Sequence, residues 1–327
     1  MQVVSIDQTV LSHSRELCFA GAGCDLQTTS SELARVLELF SIPTNRSNLN
    51  RFSMRVAVDE ASGEPAGVPH FRGLHHVVIA SFGSSNVFVF DILRRTLSAS
   101  ISRAVARDLP FWKEKLIPIT LGVLGAAMGL VPVHCACLES EGHGLLIAGV
   151  SGAGKSTLSV ALAESGFNYI SDDWTYISQR QQGIVAHGTS APVKLLPDAV
   201  KHFQTLQQHR LQASMNGELA YEVNIAEVFG AQVEQECEPR WLVFLERMQE
   251  GGVEFTPMVP ADARSYINSC VERLPAQLSQ ATEMRKQTIE RVSLLPCWRF
   301  RYGGTPQFAA KHLWEFVASR KAEVYAQ

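Results

Sequence analysis

Apolar and polar positions give the chain two textures. In the first, Leu33, Val36, Leu37 and Phe40 recur at helical spacing behind Thr29-Ser-Ser-Glu32, a capping box with Thr29 as its cap, and the predicted helix stops at Ile42-Pro43. Three β-like runs follow, Met54–Val58, His75–Ser81 and Asn86–Leu93, divided by turns such as Phe82-Gly-Ser-Ser-Asn86. His75 and His76 fall on opposite faces of their predicted strand, which argues against a shared ligand. From about Leu116 apolar strands alternate with helical stretches, the rhythm of an α/β or mixed-sheet domain. A closing amphipathic helix is predicted at Ala309–Val317, with Leu313, Phe316 and Val317 on one side, after a Gly303-Gly304 turn. The expected organisation is an accessory α/β unit over residues 1–115 and a larger α/β domain over 116–327.

Between Lys115 and Glu139 the chain has no acidic or basic residue other than His134, and it contains Gly125-x-x-x-Gly129. Pro118 and Pro132 confine the apolar middle to less than a bilayer span, and a β-like run, Val131–Leu138, follows at once. The pattern predicts a buried helix and then a buried strand, with no membrane span. Hydrophobic residues make up 46 % of the 327 and charged residues 19 %, the composition of a globular protein large enough for one or two cores. A net charge of -3 lacks the electrostatics of a dedicated nucleic-acid binder. The seven cysteines (Cys18, Cys24, Cys135, Cys137, Cys237, Cys270, Cys297) are an odd, sparse set without a C-x-x-C pair, and Cys135 and Cys137 share one strand face as core filler. Together with an amino terminus that lacks a basic segment followed by an apolar one, this favours the cytoplasm.

The chemistry concentrates in one place. Gly144-Leu-Leu-Ile-Ala-Gly149 reads as an apolar strand running into Gly149-Val-Ser151-Gly152-Ala153-Gly154-Lys155-Ser156, a full match to the phosphate-binding Walker A pattern, and Thr157 onward continues as a helix that stops at Gly166. Glycines in such a loop let backbone N–H groups wrap phosphate oxygens at a helix amino terminus. Lys155 would supply a positive charge to the outer phosphates, and Ser156 a hydroxyl to Mg²⁺. Phe167–Ser171 then reads as a short strand ending in Asp172-Asp173, at the carboxyl end where open α/β sheets keep their ligand groups. One of these acids can face a metal while its neighbour faces an incoming hydroxyl.

These residues resemble the HPr kinase/phosphorylase family of P-loop kinases, related in fold to phosphoenolpyruvate carboxykinases. The matching pieces are Val133-His134-Cys-Ala, the GVSGAGKS loop and Ile170-Ser-Asp-Asp173, with looser likeness at Pro192–Leu195 and Leu294–Tyr302. The resemblance implies an α/β P-loop kinase domain in which Gly149, Ser151, Gly152, Ala153, Gly154, Lys155, Ser156 and Thr157 bind nucleotide. It further implies Ser156 and Asp173 on the Mg²⁺ side, Asp172 as the general base, Lys155 as a catalytic cation and His134 as a charge or proton partner. The glycine- and arginine-rich signature that follows the acidic pair in those enzymes has no equivalent here, so the resemblance implies neither HPr as substrate nor reverse phosphorylase activity nor a hexamer. Arg240 and Arg264 are candidates for a transition-state arginine, each weighed against a surface role, and Glu246 for an extra acid at a strand end.

The expected activity is an ATP- and Mg²⁺-dependent kinase, with GTP as the alternative nucleotide, acting on a hydroxyl of a protein, a peptide or a small molecule. A regulatory nucleotide switch with little turnover is the competing reading, and the paired acids argue for chemistry. Carboxykinase activity would need a second metal site and a substrate clamp that the sequence does not display. A homo-oligomer is left open by the sequence.

Overall fold

The computed structural model describes residues 11–42, 50–180, 183–189, 192–213, 217–271 and 279–325, the side chains at 279, 280, 284 and 321–325 excepted. The first ten residues and the helix stop at Pro43 lie outside the described residues. The rest form two compact units, one drawn from Met1–Val131 and Glu272–Gln287, the other from Pro132–Val271 and Thr288–Gln327. This division and a boundary at 115/116 differ in where they put residues 116–131 and 272–287.

The first unit is a seven-stranded sheet of β1 (His13–Phe19), β2 (Ala22–Thr28), β3 (Arg51–Asp59), β4 (Pro69–Leu74), β5 (Val77–Phe82), β6 (Val87–Asp91) and β7 (Thr96–Ser102), in the order β1-β2-β3-β7-β6-β5-β4. Only β2–β3 and β3–β7 pair in parallel. The predicted first helix is α1 (Ser31–Glu38), but its cap is Ser30, whose hydroxyl accepts from the Leu33 N–H. Thr29 cannot serve, because its N–H is bonded to Val56 O and its hydroxyl accepts from the Val58 N–H, both on β3. His75 and His76 are corrected in the same way: they form the two-residue turn between paired Leu74 and Val77, with His75 at φ 54°.

After α2 (Arg103–Arg107) the apolar segment folds as predicted into a buried helix: α3 (Leu109–Phe111), a π-helical turn, α4 (Ile117–Leu124) and a 3₁₀ turn ended by left-handed Gly129. No helix among the described residues is long and apolar enough to cross a membrane. Phe82, Phe88, Phe111 and Trp112 pack edge to face in this unit's core, and Trp112 Nε1 donates to Val105 O at 2.9 Å. Asn86 ties the unit together from a fully buried position, its Oδ1 accepting from the Ser102 N–H (2.8 Å) and its Nδ2 donating to Phe82 O (3.1 Å). Asn86→Ala strands these buried groups, so the urea midpoint should fall by the equivalent of about 2–3 kcal/mol, and a loss under about 0.5 kcal/mol would contradict the assignment.

The second unit begins within β8 (Leu130–Val133) and continues with β9 (Cys135–Ser140), β10 (His143–Ala148), α5 (Lys155–Glu164), β11 (Asn168–Ser171), β12 (Thr175–Gln179) and β13 (Ile184–His187). A small three-stranded sheet follows, of β14 (Val193–Leu195), β15 (Gln212–Ala213) and β16 (Leu219–Val223). Then come α6 (Ile225–Phe229), β17 (Glu236–Arg247), β18 (Gly252–Pro257), α7 (Pro260–Ser269), α8 (Ser279–Ser293, of the second unit only from Thr288), β19 (Cys297–Gly303) and α9 (Pro306–Tyr325). The main sheet runs β11-β9-β10-β17-β13-β12-β8, with β19 also on β17 and β18 on β19. The run predicted as one strand from Val131 to Leu138 is broken at His134, whose N–H leaves the sheet for Cys270 O at 2.7 Å. Leu158 and Leu162 of α5 and Leu313 and Val317 of α9 share one core with Leu145, Ile147 and Phe300, so the predicted closing helix does seal the sheet. All seven cysteines are buried and unbridged, and Cys137 meets Cys237 across 3.4 Å between sulfurs.

Candidate active site

Strand direction builds the site. β17 is parallel to both β10 and β19, while β9 is antiparallel to β10 and to β11. The carboxyl ends of β10, β11, β17 and β19 therefore meet the start of β9 along one edge, where α/β sheets bind ligands. That edge carries Gly149, Asp172, Arg247, Tyr302 and His134, and it opens into a cleft of about 370 Å³.

Two glycines shape the loop that follows β10. A Cβ at Gly149 would lie 2.9 Å from Leu245 O, so only glycine lets the loop leave the sheet this close to β17. Gly154, at φ 94°, caps α5, and a Cβ there would lie 2.9 Å from the Tyr302 hydroxyl. Gly152 is also left-handed but faces nothing within 4 Å. Gly152→Ala should therefore cost only the backbone strain, about 1–2 kcal/mol. Gly154→Ala should cost about 1 kcal/mol more, since Tyr302 must also move. Equal shifts in the two denaturation midpoints would show that Tyr302 does not press on the loop.

Lys155 is buried, and its ammonium turns back over the loop, donating to Gly149 O (2.9 Å) and Val150 O (3.5 Å). The lysine thus closes a ring with the backbone at the start of the loop. Opposite it stands the turn after β11. Its ends are clamped by a buried hydroxyl chain: Ser171 Oγ lies 2.6 Å from Thr175 Oγ1, which donates to Cys135 O at 2.7 Å. Between the clamps Asp173 takes a left-handed φ of 44°, a strained setting for aspartate, and its Oδ1 meets His134 Nε2 at 2.8 Å. The imidazole is backed by the Trp174 ring at 5.4 Å.

The two acids are driven apart electrostatically. Burial pushes the Asp172 carboxyl up to about 7, with the Asp173 charge adding to it and the Ser156 hydroxyl bond, Lys155 and His134 opposing it. Burial also acts to raise Asp173, but the His134 bond and charge, then Lys155 and Lys194, hold it below the usual carboxylate range. Asp172 Oδ1 is sealed from solvent without a hydrogen-bond partner among the described residues, a donor-seeking oxygen inside the cleft.

Of the sequence-predicted residues, His134, Ser151, Gly152, Gly154, Lys155, Ser156, Thr157, Asp172 and Asp173 all line this cleft. Gly149 and Ala153 do not: Gly149 sits against Leu245, and Ala153 packs into the core. Of the further candidates, Arg240 pairs with Glu238 (3.2 Å) and Arg264 with Glu290 (3.6 Å), the surface role weighed for each, and neither lines the cleft. Glu246 turns away to Arg299 (3.2 Å) and Arg301 (3.8 Å), because successive strand residues face opposite sides and it is the next residue, Arg247, that faces in. That alternation, read at the strand end, was the available signal for Arg247. Lys194, within the Pro192–Leu195 stretch, also lines the cleft and pairs with Glu222 at 3.7 Å.

Among the described residues no group of three or more His, Cys, Asp or Glu is arranged to hold a metal. Ser156 and the two aspartates are nevertheless hard oxygen donors of the kind magnesium takes in partnership with phosphates. No family model matches the chain, and no curated protein matches it at a significant level. Among solved structures, the HPr(Ser) kinase/phosphatase from Coxiella burnetii is similar at 12 % identity and a TM-score of 0.31, over 59 % of this chain and 98 % of that one, a distant structural relationship.

Proposed function

We propose that the cleft is the active site of an ATP-dependent kinase that transfers the γ-phosphoryl group to a hydroxyl, with GTP as the alternative nucleotide. The observation that carries this reading is the juxtaposition, in one cleft, of the glycine loop with its buried lysine and a sealed carboxylate oxygen that lacks a hydrogen-bond partner among the described residues. Residues 149–157 would hold the phosphates, through backbone N–H groups, Lys155 and the start of α5. Ser156 and Asp173 would hold Mg²⁺, which when bound would neutralise phosphate charge. Asp172 would take the proton of the acceptor hydroxyl as the bond from phosphorus to that oxygen forms and the bond to the leaving diphosphate oxygen breaks. A carboxyl raised to about 7 suits a base working near neutrality. His134 would fix Asp173 through their 2.8 Å contact.

A second reading exchanges the two acids: the Ser156 hydroxyl is near enough to Asp172 to oppose its upward shift, which sets Asp172 beside the proposed metal-side hydroxyl, and Asp173, with its more exposed side chain, then faces the acceptor. The acceptor in either case is a protein, a peptide or a small molecule with a free hydroxyl.

The test is transfer of label from γ-labelled ATP with Mg²⁺ to cell extract split into macromolecular and small-molecule fractions. The expected result is incorporation into one fraction by wild type and none by Asp172→Asn or Asp173→Asn. Nucleotide binding without transfer or hydrolysis would instead point to a regulatory switch.

A further inference from the structure

Arg247 stands in the cleft with no role assigned by the loop or the acid pair. It is the last residue of β17, in register with Tyr302 of β19, and its guanidinium lies over the Tyr302 ring, 4.4 Å from the centroid. Tyr302 in turn sets its hydroxyl against Gly154, so the arginine is held one ring away from the glycine loop. The neighbouring basic side chains of the cleft already have partners. Lys155 is bound to its own loop carbonyls, Lys194 to Glu222 and His134 to Asp173. Arg247 has no carboxylate within ion-pair range among the described residues, whereas Arg299 and Arg301 on the opposite strand face share Glu246. Burial pushes the Tyr302 phenol up, so the tyrosine is a neutral support for the guanidinium and not its counter-ion.

A pre-positioned, unmatched guanidinium beside a phosphate loop calls for an anion that arrives with the ligand. Its planar fork suits two oxygens of one phosphoryl group. The loop, Lys155 and the start of α5 would take part of a phosphate chain, and Arg247 lines the same cleft from the end of the next strand, β17.

We infer that Arg247 grips the terminal phosphoryl group of a bound nucleoside triphosphate, a contact that a diphosphate cannot make. This rests on the kinase reading of the cleft. The test is calorimetric titration of the full chain with Mg·ATP and, separately, Mg·ADP, for wild type, Arg247→Gln and Arg247→Lys. Loss of a charged two-point hydrogen bond should weaken ATP binding by Arg247→Gln about 10- to 100-fold and leave ADP within about threefold. Arg247→Lys, which keeps the charge and the packing stem, should fall between and guards against a folding defect in the glutamine variant. Equal losses for ATP and ADP, or no loss for either, would overturn the assignment while leaving the nucleotide site intact. Wild type that binds neither nucleotide would overturn the kinase reading and this assignment with it.

Discussion

Lys155→Ala is expected to weaken Mg·ATP binding about 100-fold or more and to abolish any nucleotide-dependent activity. The ammonium is buried, and its two contacts are to carbonyls of its own loop, bonds it can exchange for phosphate oxygens without moving the backbone. Charged hydrogen bonds of this kind contribute about 1.5–3 kcal/mol each, and two of them are lost together with the charge. Alanine also removes the donor to the Gly149 carbonyl, while Val150 O keeps the Ala153 N–H, so part of the effect will appear as a lower unfolding midpoint. A circular dichroism melt separates the two: a folded variant with unchanged affinity would remove Lys155 from the site.

The second large effect is on turnover alone. Asp172→Asn keeps the shape of the side chain and an acceptor for the Ser156 hydroxyl but cannot take a proton. Transfer should fall about 10²- to 10⁴-fold while Mg·ATP affinity stays within about threefold. Asp173→Asn removes the negative partner of His134 and one proposed metal-side carboxylate, so its loss should appear in the magnesium dependence of binding. If the two variants behave the other way round, the Ser156 bond has identified the metal-side acid and Asp173 is the base. Normal turnover by both would leave the acid pair without a chemical role.

The loop and the acid pair were legible in the sequence because each is local: fixed glycines, a lysine and serine at set offsets, and carboxylates at the end of a short apolar run. His134, an ordinary strand histidine by itself, was singled out only by the family resemblance. The buried helix and closing helix were legible from periodicity. What periodicity missed was decided by pairing. Thr29 lost its cap role to Ser30 because β3 had already claimed its N–H and hydroxyl. His75-His76 became a turn because pairing starts at Val77. For Arg247, alternation at the strand end sets its face opposite to Glu246, but its place beside the loop comes from β17 lying between β10 and β19, which no local pattern encodes. The strain at Asp173 is likewise set from outside, by the Ser171–Thr175–Cys135 clamp and by His134 where the strand breaks.

Calorimetric titration of the full chain with ATP, with and without Mg²⁺, is the direct test of whether this cleft binds a nucleotide through its phosphates. One saturable site is expected, with a dissociation constant between about 1 μM and 1 mM and strengthened by Mg²⁺. No heat of binding for ATP or GTP at concentrations well above that range, from a folded chain, would contradict it.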